Sequence, residues 1–341
     1  MARPLRIQRT GCWYHVTARG NERRQIFVDD KDRRHFLGLL EATVWMFSLR
    51  LHAFVLMSNH YHLLLEITKV NLSRSVQWLN TSYSVWFNRR HRRSGHLLQG
   101  RFKSVVVEPE SWGLEVSRYL HLNPVRLRRL ALGKAEVQRS RSVGVEELSP
   151  EQVRERVQVL RRYPWSSYRG YIGSAKVPAW LTTVEVLGLG GKSRQPAEQY
   201  REYCEEAIRQ GGKQSPWQNV IEQSVLGTER FVARLAKALE KSEAGERLKK
   251  RPTLDRIIRV VERVRDEKWE AFRDRYGDPS RDLVLYLGRT VCGMSFRELS
   301  ERVAIEYSSA AGAVQRFSRR VAKDSEIATL IKHALQQIDN E

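Results

Sequence analysis

The stretch LRLHAFVLMSNHYHLLLEI (49–67) contains two apolar runs that are separated by Ser58-Asn59. A short polar break between two runs of strand-forming residues is typical of a β-hairpin. We therefore expect strands over residues 49–57 and 60–67, with the second strand beginning at His60.

The segments on either side of this hairpin predict alternating strands and helices. The segment CWYHVTA (12–18) indicates a strand, and Asp30 is a candidate cap for a helix that runs to about Ser48. After the hairpin we expect a helix over about 71–91, the strand SVVVE (104–108) and a helix from about Ser111. The order β-α-β-β-α-β predicts an α+β fold with a ferredoxin-like (split βαβ) sheet and its helices on one face.

The rest of the chain divides into two further regions. Residues 131–160 indicate a loop with a short helix, and the aromatic block YPWSSYRGY (163–171) indicates an extension, over 131–235, that packs on the 1–130 core. Gly211-Gly212 marks a connection. From about residue 250 the apolar residues recur at helical spacing only, which predicts an all-α domain over 250–335.

The composition points to a polyanionic partner in a reducing compartment. The 341 residues include 60 Lys plus Arg against 39 Asp plus Glu, for a formal net charge of +21. Such an excess favours nucleic acid, because neutralised phosphates release counterions. The three cysteines lie far apart, which argues against a disulfide framework or a zinc finger. No run of about 18 apolar residues occurs, so we expect no membrane segment and a cytoplasmic, nucleoid-associated protein.

A candidate metal site begins with His60-Tyr61-His62. On a strand, alternate side chains share a face, so both imidazoles point one way and Tyr61 points the other way. Two parallel imidazoles on one strand form half of a metal site. The alternative is that both histidines are only packed in the fold, and the motif alone does not separate the two interpretations.

A second candidate element is SRYLHLNPVR (117–126). In a helix, Tyr119 and Asn123 lie four residues apart and share a face. The Asn123 amide oxygen would suit a hard cation as a third ligand, although a residue before proline also commonly ends a helix and caps it. The alternative for Tyr119 is an ordinary half-buried tyrosine, which is the usual environment of this residue type. His15, His52 and His121 are competing candidates that we leave outside the metal site.

Four ordered blocks of the sequence resemble the REP-associated tyrosine transposases, which are single-tyrosine HUH (His-hydrophobic-His) nucleases. The blocks are GCWYHVTARGNERRQIF (11–27), MSNHYHLLLE (57–66), SVQWLNTSYSVWFNRRHRRSGHLLQGRFKS (75–104) and YLHLNPVR (119–126). The resemblance covers roughly residues 5–230, including the block 163–171.

The resemblance implies a metal-dependent enzyme that nicks and rejoins single-stranded palindromic (hairpin) DNA. His60 and His62 would ligate Mg²⁺ or Mn²⁺, Asn123 would stand where related enzymes place a third polar ligand, and Tyr119 would be the nucleophile that forms a 5′-phosphotyrosine. The chain departs from the family pattern at Tyr61, which is less apolar than usual and needs a partner for its hydroxyl. Related enzymes build their active sites within one subunit or across a dimer, so the resemblance does not fix an oligomeric state.

Basic residues in the first 130 positions are candidate DNA contacts, since arginines neutralise phosphates and exposed aromatic rings stack on bases. The alternative is that Trp86 and Phe87 fill the core while the arginines are solvated. The candidates are Arg19, Arg23, Arg24, Arg89, Arg90, Arg92, Arg93, Arg101 and Lys103.

The C-terminal region predicts a helix-turn-helix that contacts duplex DNA. Asp282–Cys292 is apolar at helical spacing, Gly293 is a candidate left-handed stop, and Ser295 with Glu298 makes a capping box. A later helix would start at Ser308 or Ser309 and place Ser309, Gln315 and Arg316 in a major groove. This region resembles the DNA-binding domain of the bacterial replication initiator, but it lacks that family's Asp-His-Thr signature. A small helical bundle that binds protein is the alternative.

Two functions of different classes follow from these patterns. The first is a transposase or endonuclease that acts through Tyr119. The second is a DNA-binding regulator whose catalytic centre is vestigial and whose C-terminal domain carries the activity. The intact His60, His62 and Tyr119 favour the enzyme.

Overall fold

The computed structural model divides into two compact units at the boundary between Pro216 and Trp217. It describes residues 7–126, 149–191, 193–210, 215–221, 224–239, 252–275, 278–294, 296–321, 327, 331 and 333–337. The predicted Gly211-Gly212 connection, Ser295 of the predicted capping box, and most of the predicted loop over 131–160 lie outside these residues.

Four strands of the first unit lie side by side in the order β2-β3-β1-β4, and each is antiparallel to its neighbours among these four. The strands are β1 (Trp13–Arg19), β2 (Leu49–Leu56), β3 (His60–Ile67) and β4 (Lys103–Val107). The predicted hairpin is confirmed, with Ser58 and Asn59 in its turn. The register places Arg19 opposite His60 and Thr17 opposite His62. The predicted α+β class of this unit is confirmed.

Two long helices, α1 (Asp30–Phe47) and α2 (Leu72–Arg90), cover one face of the sheet. Phe36 of α1 and Tyr83 of α2 are fully buried and pack against one another, and Phe36 also contacts Tyr61 of β3. Asp29, rather than the predicted Asp30, caps α1, because its side chain accepts a hydrogen bond from the Asp32 amide at 3.1 Å.

The third helix, α3 (Leu114–His121), lies on the opposite face of the sheet, which corrects the prediction of helices on one face only. Tyr61 contacts α1, whereas the next residue, His62, contacts Tyr119 of α3. Successive side chains of a strand point to opposite faces, so the two helical layers sandwich the sheet. Because both faces of the sheet are covered, the sequences of its strands are nearly continuous apolar runs.

The segment after residue 149 packs along the outer strand β2. It contains α4 (Pro150–Arg162), α5 (Tyr168–Tyr171), α6 (Val184–Gly188) and α7 (Pro196–Arg209). The Leu56 amide donates to the Trp165 carbonyl at 2.8 Å, and the Thr182 amide donates to the Leu51 carbonyl at 2.8 Å. These bonds use backbone groups that an open sheet edge would expose.

The described part of the second unit is mostly helical. Its elements are the two-residue strand β5 (Val225–Leu226) and the helices α8 (Glu229–Ala238), α9 (Leu254–Arg265), α10 (Trp269–Phe272), α11 (Pro279–Thr290), α12 (Phe296–Val303) and α13 (Tyr307–Val321). The apolar repeat that begins at Leu254 forms α9 as predicted, and its buried members join one core with α11 and α13. Gly293 has φ of +72°, in keeping with a left-handed stop after α11.

Across the described residues no helix is both long and apolar enough to cross a bilayer. Cys12, Cys204 and Cys292 are buried and unbridged.

Candidate active site

His60 and His62 lie on the same face of β3, as the alternation of a strand requires. Their ring centroids are 5.0 Å apart with the planes at 85°. His62 is 8% exposed, and His60 is half-buried. Tyr61 points to the opposite face, where its hydroxyl donates to Asn80 Oδ1 at 2.7 Å. The unusual middle residue of the motif therefore has the partner that it needs.

The Nδ1 atom of His60 contacts Asn59 Oδ1 at 2.6 Å. Asn59 Nδ2 donates to the Arg23 carbonyl at 2.9 Å, so the amide must present its oxygen to the imidazole. His60 then carries its proton on Nδ1 and keeps the Nε2 lone pair. Burial, followed by the charge of Arg19, lowers the pKa of His60 to about 4, which keeps the ring neutral at pH 7.

The Nδ1 atom of His62 lies 2.8 Å from Nε2 of His15, and the two rings stack with centroids 5.0 Å apart. When His62 donates from Nδ1, its own Nε2 is left with a lone pair, which is the form that binds a metal. Burial lowers the pKa of His15 to about 3 and holds the pKa of His62 well below its usual value. Both members of the pair are therefore neutral at pH 7.

These contacts fit a divalent cation. Metal-binding histidines characteristically use their second ring nitrogen in a hydrogen bond that fixes the tautomer and the ring orientation. His60 and His62 both have such a bond at Nδ1, to Asn59 and His15 respectively. Among the residues that the structure describes, no group of three or more His, Cys, Asp or Glu side chains is arranged to hold a metal ion.

Tyr119 is half-buried on α3, and its ring centroid lies 6.0 Å from that of His62 with the planes at 84°. The guanidinium of Arg126 lies 4.4 Å from the centroid of the Tyr119 ring and also hydrogen-bonds the tyrosine side chain. Burial lowers the pKa of Arg126, but an arginine remains charged at neutral pH. The structure thus brings together a phenol, a fixed positive charge and two neutral imidazoles.

Asn123 caps the C-terminus of α3. Its Nδ2 donates to the carbonyls of Tyr119 at 2.9 Å and Leu120 at 3.2 Å. Of the two predicted roles, these contacts support the cap; the role of the Asn123 oxygen as a third ligand stays a prediction. The same cap holds the turn of helix that carries Tyr119.

Two of the three histidines that we left outside the metal site have other environments. His52 stacks on Trp13 with ring centroids 3.8 Å apart. His121 is fully buried and contacts Tyr200 Oη and Ser167 Oγ at 2.7 Å each. His15 differs, because it contacts His62 directly. Sequence reasoning also gave no role to Arg126, although the block YLHLNPVR ends on it.

Most of the predicted DNA contacts in the first unit lie at the surface. Arg24 forms an exposed ion pair with Glu22 at 2.7 Å, which costs little to exchange for a phosphate. Arg93 is half-buried, with its guanidinium 5.8 Å from the ring centroid of the core residue Phe87. The other exposed candidates are Arg19, Arg23, Arg89, Arg92, Arg101 and Lys103.

Arg90 differs from the other candidates because its guanidinium is used within the protein. It pairs with Asp29 at 2.6 Å and with the buried Asp32, and it lies 5.6 Å from the ring centroid of Trp86. Since α1 begins at these two carboxylates and α2 ends at Arg90, the cluster joins the two helices. These contacts indicate a structural role.

The C-terminal candidates lie on or near the surface of α13. Gln315 and Arg316 are exposed, and Ser309 is half-buried. Ala304, with φ of +54°, lies in the short connection between α12 and α13. The sequence predicted two helices joined by a short connection, and α12 and α13 have this arrangement. Their role in DNA binding stays a prediction.

Comparisons with known proteins gave a family match and structural matches. No match was found among curated proteins. One solved structure, described as "Structure of the REP associates tyrosine transposase bound to a REP hairpin", is similar with a TM-score of 0.35 and 14% sequence identity, over 57% of this chain and 96% of that chain. Residues 8–123 match the family model described as "Transposase IS200 like". The chain therefore contains an IS200-like Y1 transposase domain, which spans residues 8–123.

Proposed function

We propose that this protein nicks and rejoins single-stranded DNA at palindromic hairpins, with Tyr119 as the nucleophile. The observation that carries the proposal is the contact between the Tyr119 ring and the ring of His62, which is the more buried of the two strand histidines. The hairpin substrate rests on the resemblance of the sequence blocks.

In the first step, Tyr119 Oη attacks the scissile phosphorus and a bond forms between them. The bond between phosphorus and the 3′ oxygen breaks, and the DNA is left with a free 3′-OH and a 5′-phosphotyrosine. The phenol loses one proton and the departing 3′ oxygen gains one, so no net proton is consumed. In the reverse step a 3′-OH attacks the phosphotyrosine, which restores the phosphodiester and the phenol without ATP.

Arg126 is positioned to assist both directions of this transfer. Its guanidinium contacts the Tyr119 side chain, so it can stabilise negative charge as the phenol loses its proton. The half-buried position of the pair reduces screening by water. Asn123 fixes the end of α3 and with it the backbone of the nucleophile.

His60 and His62 would hold Mg²⁺ or Mn²⁺ through Nε2, with the Asn123 oxygen as a proposed third ligand. When bound, such an ion offsets charge on the phosphate and orients it for attack. The exposed arginines would hold the flanking phosphates. We further propose that the protein works at the nucleoid in the cytoplasm.

The test is a nicking assay on hairpin oligonucleotides with the Tyr119→Phe variant. Tyr203→Phe is the matched control, because Tyr203 is also a half-buried tyrosine of this unit but bonds Glu115 at 2.7 Å. We expect cleavage and the covalent protein–DNA adduct to vanish in Tyr119→Phe and to persist in Tyr203→Phe, while DNA binding survives in both. Cleavage by Tyr119→Phe would remove the nucleophile assignment. A wild-type protein that binds hairpins but never cleaves them would favour the regulator with a vestigial centre.

For the C-terminal unit we propose duplex DNA contacts through α13. Gln315→Ala with Arg316→Ala should weaken binding to duplex target DNA and leave hairpin cleavage unchanged. Unchanged affinity for all duplexes in that double variant would favour a protein-binding bundle.

A further inference from the structure

A groove of about 460 Å³ lies between α2 and the segment 95–102 that precedes β4. It is separate from the Tyr119 centre, since α2 packs on the Tyr61 face of the sheet and Tyr119 lies on the other face. The wall that α2 supplies includes Gln77, Asn80, Ser84 and Asn88. These residues recur at intervals of three and four, so they form one face of the helix.

This helical face is unusual in its chemistry, because amides and hydroxyls take the place of the apolar or charged side chains that normally line a core or a solvent face. Asn80 Oδ1 already accepts the Tyr61 hydroxyl at 2.7 Å, which leaves the Nδ2 hydrogens of Asn80 to donate. Asn88 Nδ2 donates to the Gly95 carbonyl at 2.9 Å. Its Oδ1 is buried and has no partner among the described residues. The groove therefore presents amide donors beside hydroxyl groups that can donate or accept.

The second wall, which is the segment 95–102, is hydrogen-bonded to the end of β1 and the turn that follows it. Strand β1 pairs with β3, the strand that carries His60 and His62. The Asn21 amide donates to the Leu97 carbonyl at 2.9 Å, and the Gln99 amide donates to the Arg19 carbonyl at 2.8 Å. Arg19 in turn stands opposite His60 in the register. The segment therefore lies about two strand spacings, or roughly 10 Å, from the histidine strand.

We propose that this groove binds unpaired nucleotides of the DNA strand that leaves the active site, an inference that rests on the proposed function. Donor and acceptor groups of amide side chains match the edges of bases, and unpaired bases expose those edges. Arg101 lines the groove and is exposed, which provides a cation for the backbone. Asn80 and Asn88 are eight residues apart, about 12 Å along the helix. That length exceeds one base edge, so the groove takes a short run of nucleotides.

The first test is photo-crosslinking of the full-length wild-type protein without divalent metal, so that cleavage plays no part. The probe is a hairpin oligonucleotide with a single-stranded extension that carries 5-iodouracil. We expect crosslinked peptides from residues 73–102. Crosslinks from the extension that map only to other parts of the chain would overturn the proposal.

The second test blocks the groove with Ser84→Phe, and with Thr81→Phe should the first variant fold poorly. Val70→Phe is the matched control, since Val70 is 66% exposed and lies outside the groove. Fluorescence anisotropy would compare the hairpin with its extension and the same hairpin with a blunt end. We expect the groove variants to lose about tenfold in affinity for the extended hairpin and nothing for the blunt one. Equal losses on both probes, or no loss, would overturn the proposal. Neither outcome affects the expectation that Tyr119→Phe forms no covalent adduct with DNA. Failure of the groove proposal can therefore be told apart from failure of the proposed nicking function.

Discussion

Replacement of His15 by phenylalanine should weaken metal binding without removing a metal ligand. The substitution keeps an aromatic ring against His62 but removes the nitrogen that lies 2.8 Å from His62 Nδ1. His15 is 4% exposed, so water does not readily take its place. His62 is then free to carry its proton on Nε2, the nitrogen that the metal requires.

Two magnitudes follow from this geometry. Loss of a partner that orients a metal-binding histidine typically costs about 10–100-fold in metal affinity, which corresponds to roughly 1.4–2.8 kcal/mol. The unpaired Nδ1 also lowers the free energy of unfolding, by about 1–3 kcal/mol for a buried polar group. The first effect shows in the metal titration and the second in the denaturation curve.

The assay is calorimetric titration with Mn²⁺, accompanied by cleavage of a hairpin oligonucleotide over a series of metal concentrations. His52→Phe is the matched control, because His52 is also a buried histidine of the sheet but stacks on Trp13 instead of contacting His62. His15→Gln should restore part of the affinity, since an amide can accept from Nδ1. If His15→Phe binds Mn²⁺ as tightly as the wild type, the tautomer argument is refuted.

Three further predictions concern charge. Arg126→Met should reduce the rate of adduct formation much more than Arg126→Lys in single-turnover measurements, with little change in hairpin affinity; equal rates in both variants and the wild type would exclude a role for its charge. Arg90→Ala should lower the melting temperature more than Arg92→Ala, because Arg90 pairs with carboxylates between two helices whereas Arg92 is exposed; the reverse order of melting temperatures would contradict the structural role. Burial lowers the pKa of His121 to about 3, below its unfolded value of about 6.5. Its contribution to stability is therefore full above pH 6.5 and is lost as the pH falls from 6.5 towards 3, which amounts to about 2 kcal/mol at pH 5. In urea unfolding, the free energy of unfolding should fall between pH 7 and pH 5 by about 2 kcal/mol less in His121→Gln than in the wild type. An identical fall in both proteins would contradict the assigned contribution of His121.

The parts of the fold that sequence predicted are those whose signal is local. The hairpin over 49–67 could be predicted because two apolar runs flank a two-residue turn. The shared face of His60 and His62 could be predicted because alternate side chains of a strand point the same way. The helix that begins at Leu254 could also be predicted, because its buried residues recur at helical spacing. In each case one element contains the whole pattern.

The parts that sequence did not predict depend on how elements pair. His15 was left outside the site because its contact with His62 joins residues 47 positions apart and depends on the register between β1 and β3. The structural role of Arg90 was missed because its carboxylate partners lie at the start of another helix. The position of α3 on the second face was missed because continuous apolar strands do not reveal which helix covers which side.

The two proposed metal ligands differ in what fixes them, and this difference has a physical consequence. The His60 tautomer is set by its neighbour Asn59, whose amide is oriented by the Arg23 carbonyl in the short turn that follows β1. The Nδ1 atom of His62 instead contacts His15 on the neighbouring strand, and this contact exists only when β1 and β3 are paired in this register. A slip of one residue would turn His15 to the other face and leave Nδ1 of His62 without its partner. Correct strand pairing is thus a precondition for the proposed metal site.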